Sequence, residues 1–128
     1  MDEKMLRQQV HQINTFFLKR KMIDPIYGDP LKDKYNYIAH GSLLIAFISY
    51  NIMKRYNRIN IKKLMVREEY RHQGYGHELL KRIKIKCLDI QLYVSNTNEE
   101  SIKWYKSNYF KVINKTENTT FMLYKSFL

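Results

Sequence analysis

Cysteine, proline and glycine are scarce in this chain, with one, two and four residues out of 128. The lone Cys87 has no partner for an intramolecular disulfide, which fits a reducing compartment. It stands among Ile83, Ile85 and Leu88 where a helix should end, so it reads as a small core residue rather than a nucleophile. Long apolar runs are missing too. The longest, Leu43-Leu44-Ile45-Ala46-Phe47-Ile48, has six residues, too few to cross a bilayer as a helix. Asp2, Glu3 and Lys4 open the chain with no apolar stretch behind them, so no secretory signal and a cytoplasmic location are expected. Acidic residues are outnumbered 12 to 23, giving a formal charge of +11. Such a field gathers polyanions, whether nucleic acid, anionic lipid or a phosphorylated cofactor. The basic residues are spread from Lys4 to Lys125 without a dense block, so charge alone does not choose among them.

What the chain has is core-forming material: 45% hydrophobic and 14% aromatic residues, enough for one compact domain over 1–128. Leu6, Val10, Ile13 and Phe17 recur at helical spacing and predict an amphipathic helix over 4–22. Asp24-Pro25 and Gly28-Asp29-Pro30 then force a loop. Aromatic and β-branched residues over 35–39 and 42–52 predict two strands joined by a tight turn at His40-Gly41. A third strand, 59–66, ends apolar and leads through a polar loop, 67–76, to a helix bearing Leu79, Leu80 and Ile83. A strand over 89–94 follows, and Thr97 with Glu100 offers a capping box for a short helix through Tyr105. Segments 109–114 and 119–127 predict a closing hairpin. The order α-β-β-β-α-β-α-β-β describes a mixed α/β domain with one strand–helix–strand crossover among largely antiparallel arms.

The segment from Leu64 to Leu80 is the most specific. A strand feeds a loop in which Gly74 and Gly76 let the backbone turn and approach a ligand at a helix amino terminus. Unpaired N–H groups and the helix dipole there suit a pyrophosphate, and Arg71, His72 and His77 add positive charge. The run resembles motif A of the GNAT acetyltransferase superfamily, an apolar-x-Val strand followed by an R/Q-x-x-G-x-G/A loop, here Arg71-His72-Gln73-Gly74-Tyr75-Gly76. Downstream, Leu92-Tyr93-Val94 with Asn98, Ser101, Ile102 and Tyr105 is similar to motif B. Tyr109-Phe110 stands where that family usually has Gly-Phe, a departure expected to alter the turn.

The resemblance implies a mostly antiparallel, twisted sheet of about six strands flanked by three helices. It is splayed between the strands ending near Val66 and Val94. It further implies that acetyl-CoA is bound as co-substrate, without a metal, and that its acetyl group passes to a primary amine. The pantetheine arm would lie along Leu64, Met65 and Val66, whose amides could also stabilise the tetrahedral oxyanion. The pyrophosphate would sit on Arg71, His72, Gln73, Gly74, Tyr75, Gly76 and His77, with Asn98 and Ser101 touching the cofactor arm. Tyr105 would be the general acid toward the departing thiolate.

The base is less legible. Ribosomal-protein N-terminal acetyltransferases, of similar plan, carry a Glu five residues before the motif B Asn; that position is Tyr93 here, which leaves Tyr93 facing the acceptor. His40, Tyr93 through water, and Glu68 or Glu69 remain open for the role. His72 and His77 have no third ligand for a metal. Two other readings stand beside the enzyme: a CoA-binding regulatory module without turnover, and a small basic nucleic-acid-binding protein. The acceptor is not written in any signature, and a monomer or homodimer is equally compatible.

Overall fold

The computed structural model describes residues 1–19 and 28–126. Its elements are α1 (Glu3–Lys19), β1 (Lys34–His40), β2 (Leu43–Met53), β3 (Arg58–Val66), α2 (Tyr75–Lys84), β4 (Asp89–Ser95), α3 (Glu99–Ser107), β5 (Lys111–Lys115) and β6 (Thr119–Tyr124). A single 3-10 turn, Glu68–Tyr70, follows β3. The six strands form one sheet in the order β1-β2-β3-β4-β6-β5, antiparallel except where β3 meets β4. This is the expected mixed sheet of about six strands with three helices. The parallel pair requires a crossover, and α2 supplies it.

Successive strand residues point to opposite faces, and β2 feeds two cores with the help of a bulge at Ile45, where Ile38 pairs with Ala46 but Ala39 with Leu44. Leu44 and Phe47 pack with Leu6, Val10, Ile13 and Phe17 of α1 and with Met65. Ala46 and Ile48 face the other way, toward Leu79, Leu80 and Ile83 of α2 and Tyr105 of α3. Ile59 and Ile61 of β3 lie on that second face, and so do Leu64 and Val66. Simple alternation would forbid this. A bulge permits it: Ser49 pairs with Lys63 and Tyr50 with Ile61, so the register skips Lys62 and the alternation slips by one.

The splay is visible in the register. β3 and β4 pair at Arg58–Asp89, Ile59–Ile90, Asn60–Gln91 and Ile61–Leu92, and no further. Beyond Ile61 the edge of β3 stays with β2, and beyond Leu92 the edge of β4 stays with β6 through Ser95–Thr119. The sheet therefore opens toward Val66 on one side and Val94 on the other.

Several local expectations need correction. Cys87 is exposed, not core: it stands just past α2 with φ +59, and Leu88 takes the inward position instead. His40 closes β1, and the turn is made by Gly41, with φ +61, and Ser42. Thr97 and Glu100 form no capping box. Asn98 is the cap, accepting from Ser101 N at 3.3 Å, while the Thr97 hydroxyl bonds Ser95 at 2.9 Å. The strand expected from Tyr109 begins at Lys111, because Tyr109 is consumed in ending α3. Positions 20–22 of the expected first helix, 23–27 of the loop and Phe127 of the hairpin lie outside the described residues.

Candidate functional site

The loop between β3 and α2 is held from below. Arg67 donates from N to Ile45 O at 2.8 Å, from Nε to Leu44 O at 2.8 Å and from Nη2 to Gln9 Oε1 at 3.2 Å. These bonds fasten the exit of β3 to β2 and α1. The chain then takes two left-handed residues, His72 at φ +63 and Gly74 at φ +89. Gly74 is the cap of α2, and no side chain satisfies the amides there. Glu78 is the first residue of α2 to donate to a carbonyl behind it, Gly74 O at 3.0 Å. The N–H groups of Gly74, Tyr75, Gly76 and His77 precede it at the positive end of the helix dipole.

The two glycines act differently. Nothing lies within 4 Å of a Cβ built on Gly74, so its requirement is the backbone angle. A Cβ on Gly76 would stand 3.1 Å from Trp104 Cζ2 and 3.7 Å from Val66 Cγ2. The second glycine also makes room for the indole of α3, a packing demand the sequence alone does not show.

These amides open into a cleft of about 570 Å³ between the loop, the end of β3 and α3. Leu64, Met65 and Val66 form one wall, and Arg71, His72, Gly74, Tyr75, Gly76 and His77 form the loop side. Ser101 and Tyr105 close it from α3. Sequence reasoning missed Phe17, Tyr70, Glu100, Lys103 and Trp104, which also line it. Phe17 was legible only as part of the apolar stripe of α1, and Trp104 only as a neighbour of Tyr105. Gln73 does not line the cleft; its side chain donates back to Glu69 O at 3.3 Å. Arg71 reaches across to Glu100 at 2.6 Å, with its guanidinium 5.7 Å from the ring centroid of Phe17. Glu100 is the single carboxylate among the lining residues, set against Arg71, Lys103, His72 and His77.

A second hollow of about 350 Å³ occupies the splay itself, between Ile61–Leu64 and Leu92–Ser95. Asn98 and Tyr93 line this hollow and not the first. Tyr93 is 61% exposed and lies against Phe121, its cross-strand partner, at 4.9 Å between centroids. Leu64, Ser101 and Tyr105 line both hollows. Of the residues weighed as base, only Tyr93 reaches either hollow. Glu68 and Glu69 are exposed, and His40 packs edge-on against Tyr70 and Tyr75 at 5.6 and 5.8 Å.

Tyr105 is buried to 8% exposure between Trp104 and Phe110, and burial pushes its phenol well above the ordinary value. Its position follows from how α3 ends. Phe110 N donates to Tyr105 O and Tyr109 N to Lys106 O, both at 3.1 Å, the paired bonds of a Schellman motif. Tyr109, at φ +71, fills the left-handed position that glycine prefers. The accompanying apolar contact is Phe110 on Tyr105. A Tyr, a left-handed residue four later and a Phe five later thus form one physical device. Asn96 completes the frame by donating to Thr116 O and Glu117 O at 2.9 and 3.0 Å, tying the exit of β4 to the hairpin.

No metal-binding cluster of His, Cys, Asp or Glu occurs among the described residues, and none of their helices is long and apolar enough to cross a membrane.

No sequence among the curated proteins matches this chain. Among solved structures, the PaiA N-acetyltransferase of Thermoplasma acidophilum, in complex with coenzyme A, is 29% identical with a TM-score of 0.63. That match covers 71% of this chain but only 59% of that protein, under two thirds of its length. Arabidopsis thaliana Naa50, solved with the bisubstrate analogue CoA-Ac-MVNAL, shares the fold at 22% identity and a TM-score of 0.71, covering 99% of this chain and 95% of the other. A ribosomal-protein alanine N-acetyltransferase of Escherichia coli does so at 13% identity and 0.68, covering 97% and 89%. The family model described as acetyltransferase (GNAT) family matches residues 9–109, most of the chain, and with the splayed sheet it places this protein in the GNAT family.

Proposed function

We propose that this chain is an N-acetyltransferase that takes its acetyl group from acetyl-CoA and passes it to a primary amine. The observation that carries the reading is the meeting of two hollows at Tyr105: one runs back to the unsatisfied amides of α2, the other fills the gap between β3 and β4. The residues fit the cofactor. Its diphosphate needs donors and positive charge, and the amides from Gly74 to His77 with Arg71 and Lys103 offer both. Its amide-bearing arm needs a strand edge, and β3 beyond Ile61 has one that β4 does not cover.

Acetyl-CoA supplies an activated thioester; positioning falls to the chain. Leu64, Met65 and Val66 align the arm along the free edge, and Asn98 and Ser101 border it from the start of α3. Tyr105 holds a proton beside the sulfur. Burial raises its phenol, so it stays a donor at every physiological pH. A thiolate formed in the same dry site is raised for the same reason, so the transfer is not made more uphill than in water. Tyr93 borders the acceptor side. The lone cysteine and the demand for acetyl-CoA are consistent with a cytoplasmic enzyme, and residues 1–128 with one domain.

Two measurements test this. Saturating acetyl-CoA should raise the melting temperature by mass action, and no shift removes the reading. Free thiol should be released when amines are added; cofactor binding without thiol release from any amine would instead identify a CoA-binding module without turnover.

A further inference from the structure

Lys84 is the last residue of α2 and lines neither hollow. Its ammonium reaches the far end of α3, where Nζ donates to Asn108 O at 3.1 Å. The same nitrogen lies 4.4 Å from the ring centroid of Tyr124 and 5.7 Å from that of Tyr109. Among the described residues no carboxylate is ion-paired with it, and burial pushes the amine below its ordinary value. A partly buried cation without a counter-ion is a costly placement, offset here by one carbonyl and by ring faces.

Both contacts lead to Tyr105. One route is backbone. Asn108 is the C-cap of α3 and is 7% exposed. A carbonyl at a helix end has no donor within its own helix, so Lys84 supplies one, with a positive charge at the negative end of the dipole. Asn108 in turn holds the last turn of α3, donating from N to Tyr105 O at 3.0 Å and from Nδ2 to Trp104 O at 2.9 Å. The other route is a run of rings. Tyr124, under the ammonium, meets Phe110 at 5.6 Å, and Phe110 meets Tyr105 at 5.2 Å.

We propose that Lys84 is a positioning residue for the acetyl transfer, joining the end of α2 to the segment that sets where the Tyr105 phenol stands. This rests on the acetyltransferase reading above. The opposite end of α2, ten residues and about 15 Å away, presents its amides to the cofactor, so one rigid helix serves both the diphosphate and the acid. A general acid must stand within hydrogen-bond reach of its leaving group, and a displacement of about 1 Å costs on the order of 10²-fold in rate. Loss of Lys84 therefore acts on turnover and spares cofactor binding.

The test follows thiol release by the full chain with acetyl-CoA. A pentapeptide with a free amino terminus, a lysine peptide with a blocked amino terminus and spermidine serve as acceptors, the fastest being carried forward. Lys84→Met keeps the apolar stem and removes the donor and the charge. It should lower kcat about tenfold to a hundredfold with KM for acetyl-CoA within about twofold, and Lys84→Arg, which keeps both, should return kcat to within about threefold of the parent. In a Tyr105→Phe background, Lys84→Met should cost less than about twofold more, because the phenol it positions is gone. Losses that multiply in the double variant overturn the inference, as does an unchanged kcat in Lys84→Met or a KM that rises as kcat falls. Should Lys84→Met not fold, Lys84→Gln carries the same comparison. A parent protein that releases thiol with none of the acceptors fails the acetyltransferase reading and this inference with it; one that turns over, with Lys84→Met equally fast, fails the inference alone.

Discussion

The ring of Phe110 meets that of Tyr105 edge-on, 5.2 Å between centroids at 67°, and Trp104 also meets it edge-on, at 5.1 Å and 78°. Ring packing and the carbonyl bond from Phe110 N set where Tyr105 stands; its hydroxyl has no share in this. Tyr105→Phe should therefore keep the fold and remove one proton donor. Turnover should fall about 10²–10⁴-fold with acetyl-CoA affinity unchanged within twofold. Steady-state rates beside calorimetric titration check this, and unchanged turnover would show that the phenol is not the acid.

Burial of that phenol also predicts a pH dependence of stability. The folded-state pKa of Tyr105 is raised above 10.0, its value when exposed. Below that value both states hold the proton and the group contributes no slope. Above it the unfolded chain loses its proton first, so the native state is progressively destabilised as pH rises toward the folded value. Urea midpoints measured between pH 8 and pH 11 should fall at the alkaline end, and less steeply in Tyr105→Phe.

Arg71 and Glu100 join the two sides of the cleft at 2.6 Å, with Glu100 half-open to solvent. An ion pair this exposed contributes little to stability, below about 1 kcal/mol. Its effect on a bound polyanion is larger, since Glu100 both neutralises Arg71 and repels phosphate. Glu100→Gln should tighten acetyl-CoA binding about threefold to tenfold at low salt, with the gain shrinking as salt is added. Titrations at two ionic strengths give the answer; weaker binding would mean that the pair orders the site.

Gly74 and Gly76 are distinguishable by substitution. Gly74→Ala meets no atom but places a Cβ at φ +89, costing about 1–2 kcal/mol and lowering the melting temperature by about 3–8 °C. Gly76→Ala gains helix propensity inside α2 and presses on Trp104, two effects of opposite sign. Its melting temperature should stay close to that of the parent. Emission from Trp104, the only tryptophan, should shift. Equal thermal losses in both variants would contradict this division of roles.

How far the sequence carried depends on the range of the forces involved. Periodicity and composition placed all nine helices and strands, because Leu6, Val10 and Ile13 or Leu79, Leu80 and Ile83 are buried by local geometry. Most described ends fall within about two residues; α2 stops at Lys84 and β6 at Tyr124, each about three residues before the expected end. The glycine loop and the Asn98–Tyr105 spacing were legible because each is a local backbone device. The bulge at Lys62 was not, since it exists only in the pairing of β2 with β3. The Arg71–Glu100 pair and the space Gly76 leaves for Trp104 join elements separated in sequence and were equally hidden. Cys87 was misplaced because helical phase was carried past Lys84, where α2 ends, while the chain turns left-handed at Cys87 itself.

Tyr109 is the clearest case of sequence and geometry in conflict. It holds φ +71, a region that costs a residue with a Cβ about 1–2 kcal/mol, while its ring is 75% exposed. Its visible contact is Lys84 at 5.7 Å, and Lys84 lies closer to Tyr124, at 4.4 Å. Little packing is lost by removing the ring. Tyr109→Gly relieves the backbone and gives back part of the gain, about 0.4–1 kcal/mol, through the greater freedom of the unfolded chain. The net expectation is stabilisation of about 0.5–1 kcal/mol, a rise of a few degrees in melting temperature. Because the Schellman bonds to Tyr105 and Lys106 are made by backbone N–H groups, they survive the change, and turnover should be unaltered. A lower melting temperature would mean that the Tyr109 ring contributes more to the end of α3 than its exposure indicates.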